Sequence, residues 1–233
     1  MRGLFVTGTD TGAGKTVVAG AVCAALAARG ERVAAFKPAL TGLDEPPGSW
    51  PRDHELLARA ASAGQSPEEV APWRFGPPAS PHLAAELSGV ELEPRAIANA
   101  ARALGRGADA VVCEGVGGLL VPLSGRYLVR DLAVELGLNV LVAARAGLGT
   151  ISHTLLTVEA ARVVGLGLVG VVMTPWPEAP SPVERSNRAT VERLARVPVA
   201  GLPPTDPGSL AAAGATLPLD DWLGSPATAT RAA

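Results

Sequence analysis

The chain has 233 residues, 48% hydrophobic and 18% charged, with a formal net charge of −2. That is enough apolar material for a sizeable core, which excludes an intrinsically disordered chain, and too little positive charge for a nucleic-acid footprint. The two cysteines, Cys23 and Cys113, both sit among apolar neighbours, which excludes a disulfide framework or a zinc cluster and fits inert thiols in a reducing compartment.

Short Val-rich apolar runs alternate with longer amphipathic stretches along the chain. The first residues lead straight into a strand over 4–7, so no secretory leader is expected. A helix over 15–29, a strand over 33–36 and a Pro/Gly-rich loop over 41–52, expected to be mobile, come next. Helices follow over 53–61, 80–87 and 94–104, then a strand over 110–113, a helix over 129–136, a strand over 140–143, a helix over 150–164 and a strand over 168–173. The segment 175–182 (PWPEAPSP) carries too many prolines for a helix or an interior strand. A helix over 183–195 and a strand over 199–202 precede a low-complexity end after Trp222, expected to fray. Gly30, Gly105, Gly137 and Gly165 supply helix stops. Continuous apolar strands alternating with helices predict an α/β fold: a single-domain, doubly wound, mostly parallel sheet with helices on both faces. That domain is expected to occupy 1–222, with 223–233 as a disordered tail. The longest apolar run, 163–173, is interrupted by Gly165, Gly167 and Gly170 and is about half the roughly 20 residues that a membrane span needs. The expectation is a cytoplasmic protein with no membrane and no nucleic-acid partner.

Of the 20 basic residues, only Lys15 and Lys37 are lysine; the rest are arginine. In so Arg-biased a chain, the two lysines mark positions where a compact ammonium is needed and a flat guanidinium does not fit. Lys15 lies in VTGTDTGAGKT, after an apolar strand and at the start of a helix. This is the context of a phosphate-binding loop: backbone N–H groups and the helix N-terminus face the anion, Lys15 reaches the terminal phosphates, and Thr16 is placed to hold Mg2+. The usual first glycine of such a loop falls at Thr9, with Gly8 one residue early. Partitioning and transport ATPases carry a signature lysine early in this loop, where this chain has Asp10, and no guanine-reading Asn-Lys-x-Asp occurs.

Lys37 closes the second strand, which puts it on the carboxyl edge of the sheet where ligands of doubly wound folds bind; by itself it reads more readily as a strand-end surface lysine, and the scarcity of lysine in this chain reverses that balance. Glu114 ends a buried strand in VVCEGVGGLLVPL and is placed to join a Mg2+ shell beside the phosphate loop; the plainer alternative is a strand-end carboxylate paired with an arginine. Asp53 opens a helix and by itself reads as an N-cap. Gly149, Thr150, Ile151 and Ser152 open another helix, whose free N–H groups suit an anion such as a carboxylate, with His153 structural.

Together, GTDTGAGKT, the FKP strand end with Thr41-Gly42, Asp53, Ser80-Pro81-His82, EGVGGLLVPL and LGTISHTLLT resemble the dethiobiotin synthetase family, in its order and spacing from about residue 3 to 175. The resemblance implies a P-loop NTPase-like homodimer that closes a cyclic urea on 7,8-diaminononanoate using CO2, ATP and Mg2+. It implies that Lys15 and Lys37 hold carbamate and phosphates, that Thr11 and Thr41 hold the carbamate, and that Thr16, Asp53 and Glu114 hold the metal. Nucleotide contacts are implied for Gly12, Ala13, Gly14, Val17, Gly115, Val116, Gly117, Thr174, Pro175, Pro203, Pro204 and Thr205. The substrate carboxylate is expected on the 149–152 helix start of the partner chain. The sequence departs from the family pattern in four places: Thr41 for Ser, Gly12 for Glu, Ser152 for Asn, and Met173-Thr174-Pro175 where the family has the Asn-Asp that reads adenine. The rival readings are an ATP-dependent amide ligase of the cobyrinate diamide synthase type, which usually needs a further glutaminase domain, and a non-catalytic partitioning or assembly ATPase.

Overall fold

A computed structural model describes residues 1–46 and 48–223. In chain order the elements are β1 (Gly3–Gly8), α1 (Lys15–Ala28), β2 (Val33–Phe36), α2 (Asp53–Ala60), α3 (Pro67–Val70), α4 (Pro81–Leu87), α5 (Pro94–Gly105) and β3 (Ala110–Gly118). They continue as β4 (Pro122–Ser124), β5 (Tyr127–Leu128), α6 (Val129–Leu136), β6 (Asn139–Ala144), α7 (Thr150–Arg162), β7 (Leu168–Met173), α8 (Pro182–Ala195), β8 (Val199–Gly201), α9 (Leu210–Gly214) and α10 (Leu219–Leu223).

Six strands form one sheet in the order β2-β3-β1-β6-β7-β8, and every neighbouring pair is parallel. Side chains of a strand alternate between faces, so a sheet covered on both sides needs apolar residues at every position. β1 shows the consequence. Phe5 packs with α5, α6, α7 and α8 on one face, whereas Leu4 and Val6 pack with α1, α2, α9 and α10 on the other. The two cysteines lie in these layers; burial pushes the Cys23 thiol up to about 12 and the Cys113 thiol up as well, which keeps both protonated and inert. The strand order reverses about β1, so the crevice at the carboxyl ends of β1 and its neighbours is the place where such sheets bind ligands.

The six strands of the main sheet and the seven helices of seven residues or more follow the sequence pattern, with ends shifted by a few residues. Four differences have physical causes. β3 runs on to Gly118, because its Gly-rich end stays in the ladder with β1, where Gly8 pairs Gly118. α3 is only four residues and is held by reciprocal capping between Ser66 and Glu69. The β4–β5 hairpin and α9 and α10 are likewise too short to show a period. The 41–52 segment is a loop, but a tethered one: Gly42, Leu43 and Asp44 N–H groups donate to Pro77, Phe75 and Gly76 carbonyls, and Arg52 donates to the Leu43 and Glu45 carbonyls. The expected disordered tail lies outside the described residues, apart from Leu223, which closes α10. Among the described residues, no helix is long and apolar enough to cross a membrane.

Candidate active site

β1 leaves the sheet at Gly8 into the loop that leads to α1. Gly14, the last loop residue, has φ 86°, and a Cβ there would lie 2.4 Å from Thr174 Cγ2, so only glycine fits. α1 begins at the next residue with no side-chain cap, which leaves its first N–H groups for an anion. Lys15 is 7% exposed and its Nζ donates to the Asp10 carbonyl at 3.0 Å, folding the ammonium back over the loop. Burial lowers its pKa from the ordinary lysine value, while the Glu114 carboxylate opposes that.

Beside the loop, four elements each contribute one polar group. Lys37 follows directly on β2, and its Nζ donates to Asp53 Oδ2 at 2.7 Å and to Glu114 Oε1 at 2.6 Å. Asp53 is the first residue of α2 and Glu114 lies in β3. Thr16, on α1, donates its hydroxyl to the same Glu114 Oε1 at 2.9 Å. Lys37 is 3% exposed and Glu114 is fully buried. Burial alone would pull the Lys37 pKa down; the Asp53 and Glu114 carboxylates outweigh it and hold the group above the ordinary lysine value, as an ammonium. Burial pushes the Glu114 carboxyl up, against the pull of Lys37. For Asp53 burial acts upward too, but Lys37 prevails and its carboxyl lies below the ordinary range. The partner of Glu114 is thus the second lysine rather than an arginine.

These groups open on a cavity of about 790 Å3. Of the residues singled out from sequence, Thr11, Gly12, Gly14, Lys15, Thr16, Val17, Lys37, Thr41, Asp53, Glu114, Val116 and Gly117 line it, and Ala13 and Gly115 adjoin lining residues. Glu45, Trp50 and the 78–81 stretch also line it. The sequence pointed to Ser80 and Pro81 only through the family motif, and it pointed to Glu45 and Trp50 not at all, because they lie in the segment expected to be mobile. Gly149, Thr150, Ile151, Ser152, Thr174, Pro175, Pro203, Pro204 and Thr205 are not on its wall. Thr174 is buried against Gly14, and its N–H donates to the Ala144 carbonyl at 2.9 Å. Thr205 closes a turn with Ser209 after β8. At the start of α7, the Thr150 hydroxyl lies 3.3 Å from that of Thr154, turned along the helix, while Leu148 just before it is 97% exposed.

The oxygen set suits Mg2+. Thr16, Asp53 and Glu114 offer hard oxygen donors, and Glu114 Oε2 is buried with no hydrogen-bond partner. Among the described residues, no group of three or more His, Cys, Asp or Glu side chains is placed to hold a metal. A carboxylate pair with a hydroxyl is the arrangement expected of an ion that takes the rest of its shell from phosphate and water.

A family model described as an AAA domain matches residues 2–211. The ATP-dependent dethiobiotin synthetase BioD of Anaeromyxobacter dehalogenans is 48% identical over 87% of this chain and 90% of its own length. The chain belongs to the dethiobiotin synthetase family. The dethiobiotin synthetase BioD of Brucella ovis is 41% identical over 84% of this chain and 85% of its own. Among solved structures, the cell division ATPase MinD of Pyrococcus furiosus superposes with a TM-score of 0.53 at 18% identity, covering 93% of this chain and 90% of that one. Apo McdA from Cyanthece superposes with a TM-score of 0.51 at 12% identity, covering 91% and 90%. At such identities these two show that this chain shares their fold and nothing about its chemistry.

Proposed function

We propose that this chain is an ATP-dependent dethiobiotin synthetase, a ligase that carboxylates 7,8-diaminononanoate with CO2 and closes the ring, releasing ADP and phosphate. One observation carries the reading of the site: the Lys37 ammonium is held between Asp53 and Glu114 on the same cavity as Lys15, Thr16 and Thr41.

The chemistry asks for positioning and charge neutralisation more than for covalent work. One substrate amine adds to CO2 and loses a proton, giving a carbamate. A carbamate oxygen attacks the γ-phosphorus and ADP leaves. The second amine then attacks the carbamate carbon, phosphate leaves and the cyclic urea closes. The phosphate loop and Lys15 would cradle the polyphosphate. Lys37 would bridge carbamate and γ-phosphate; two of its three N–H donors hold Asp53 and Glu114, which leaves one for the reacting groups. Thr11 and Thr41 would fix the carbamate with hydroxyl donors. Mg2+, held by Thr16, Asp53 and Glu114, would supply neutralising charge at the phosphates.

A homodimer completes the site in this reading. In the first turn of α7 the Thr150 and His153 N–H groups are taken by the Gly147 and Gly149 carbonyls, which leaves those of Ile151 and Ser152 for the substrate carboxylate, yet Gly149 to Ser152 lie off the cavity of their own chain. Exposed Leu148, Leu156 and Leu120 beside them give an apolar surface for a second copy. A partitioning ATPase is not favoured, since Asp10 stands at the place of the signature lysine. The reading is tested by phosphate release from ATP with and without 7,8-diaminononanoate: release that depends on the diamine supports it, and equal release in both refutes it.

A further inference from the structure

Arg145 follows directly on β6, the strand next to β1, and its guanidinium reaches the outer side of the phosphate loop. Its Nη2 donates to the Thr11 carbonyl at 3.2 Å and its Nε to the Gly12 carbonyl at 3.3 Å. Two adjacent donors of one planar fork therefore hold two consecutive carbonyls of the loop, a geometry that a lysine cannot copy. Gly12 permits it: its φ is 71°, and a Cβ there would lie 3.1 Å from Arg145 Nη2, so a side chain at this position would crowd the guanidinium.

In a trans peptide the C=O and the following N–H point in opposite directions. Carbonyls 11 and 12 turned toward Arg145 accordingly turn the N–H groups of Gly12 and Ala13 away from it. Thr11 and Gly12 line the cavity and Arg145 does not, so those N–H groups face the phosphate side. They make no hydrogen bond within the described residues. The Thr11 N–H, by contrast, is already taken by Asp10 Oδ1 at 2.7 Å. The loop thus presents two open, adjacent N–H donors, and the Arg145 fork fixes both peptide planes from behind.

We infer that Arg145 is a positioning residue for the phosphate cradle: it pre-sets the Gly12 and Ala13 N–H groups for the polyphosphate of the nucleotide and polarises them with its charge. The inference rests on the reading of this site as a nucleotide site. Unliganded loops lose affinity when their donors must be ordered on binding, so removing the clamp weakens phosphate binding without touching the reacting groups.

The test compares wild type, Arg145→Ala and Arg145→Lys by calorimetric titration with ADP, steady-state kinetics in ATP and diamine, and thermal melting. Arg145 is exposed, so both variants should melt within a few degrees of wild type. Arg145→Ala should weaken ADP binding by about tenfold, the expected loss for charge-assisted contacts of this kind. It should raise the KM for ATP by a similar factor, change kcat far less and leave the KM for the diamine unchanged. Arg145→Lys, with a charge but no fork, should recover only part of the loss. Unchanged ADP affinity in Arg145→Ala overturns the inference, as does full recovery by lysine, which would assign the effect to charge alone. Wild type that binds no ADP overturns the nucleotide-site reading itself, an outcome distinguishable from the other two.

Discussion

Replacing Lys37 by arginine separates chemistry from stability. Lys37→Met would not do so, because it leaves fully buried Glu114 without the cation that compensates it. Breaking a buried pair in that way costs about 3–5 kcal/mol, a large share of the roughly 5–15 kcal/mol that holds a domain together. Arginine keeps a cation in place. Asp53, whose side chain is 39% exposed, has room to shift and accept the longer side chain, so Lys37→Arg should melt close to wild type. What it loses is a single nitrogen that reaches oxygens at 2.7 and 2.6 Å on two different elements and keeps a third donor uncommitted beside the cavity it lines. The donors of a guanidinium lie in one plane; once two are committed to Asp53 and Glu114, none projects out of that plane toward carbamate and phosphate. Losing one such transition-state contact should lower dethiobiotin formation on the order of 10²-fold, about 2.7 kcal/mol. Product detection by mass spectrometry, run beside thermal melting, reads both quantities. Wild-type turnover in a normally folded Lys37→Arg would show that the third donor of Lys37 plays no part in the reaction.

The same variant carries a pH signature. Lys37 lies above its ordinary value of 10.5, so its stabilisation is complete below that value and fades as pH rises through the higher folded value; the alkaline decline in melting temperature should be shallower in Lys37→Arg, and identical curves would contradict the buried pairing. Glu114→Gln removes one hard charged oxygen, so it should raise the Mg2+ concentration needed for half-maximal turnover several-fold; an unchanged Mg2+ titration would withdraw Glu114 from the metal shell. Nucleotide choice should be loose. The Thr174 and Trp176 N–H groups are taken by the Ala144 and Leu202 carbonyls, and Pro175 has none, so no backbone donor remains there to read a base edge. CTP, GTP and UTP should support kcat/KM within roughly tenfold of ATP; a preference for ATP above about a hundredfold would show that another group reads adenine.

The strands were legible in the sequence because both faces of the sheet are covered, which makes β1, β2, β6 and β7 continuous apolar runs. Glycine concealed the rest of β3: Gly115, Gly117 and Gly118 read as loop, yet the ladder with β1 carries them to Gly118. α3, α9, α10 and the β4–β5 hairpin span two to five residues each, less than any hydrophobic period needs to show. In the site, Lys15 and Thr16 followed from local context alone, since the loop and the helix start are contiguous. Lys37, Asp53 and Glu114 were named singly from the residues, and Asp53 and Glu114 were grouped only through the family resemblance; the union of all three depends on β2 and β3 being neighbours with α2 above them, which strand order decides and sequence spacing does not. Arg145 is more than 130 residues from the loop it holds, among 17 other arginines, and no local pattern marks it out.

One molecule of CO2 should be fixed into the ring at the expense of one ATP, and labelled bicarbonate reads this. The chain, incubated with 7,8-diaminononanoate, ATP, Mg2+ and carbon-13 bicarbonate, should yield dethiobiotin carrying a single labelled carbon, in equal amount to the ADP formed. Cleavage of ATP with no labelled cyclic product, or label that never passes beyond the open carbamate, would rule out dethiobiotin synthesis by this chain.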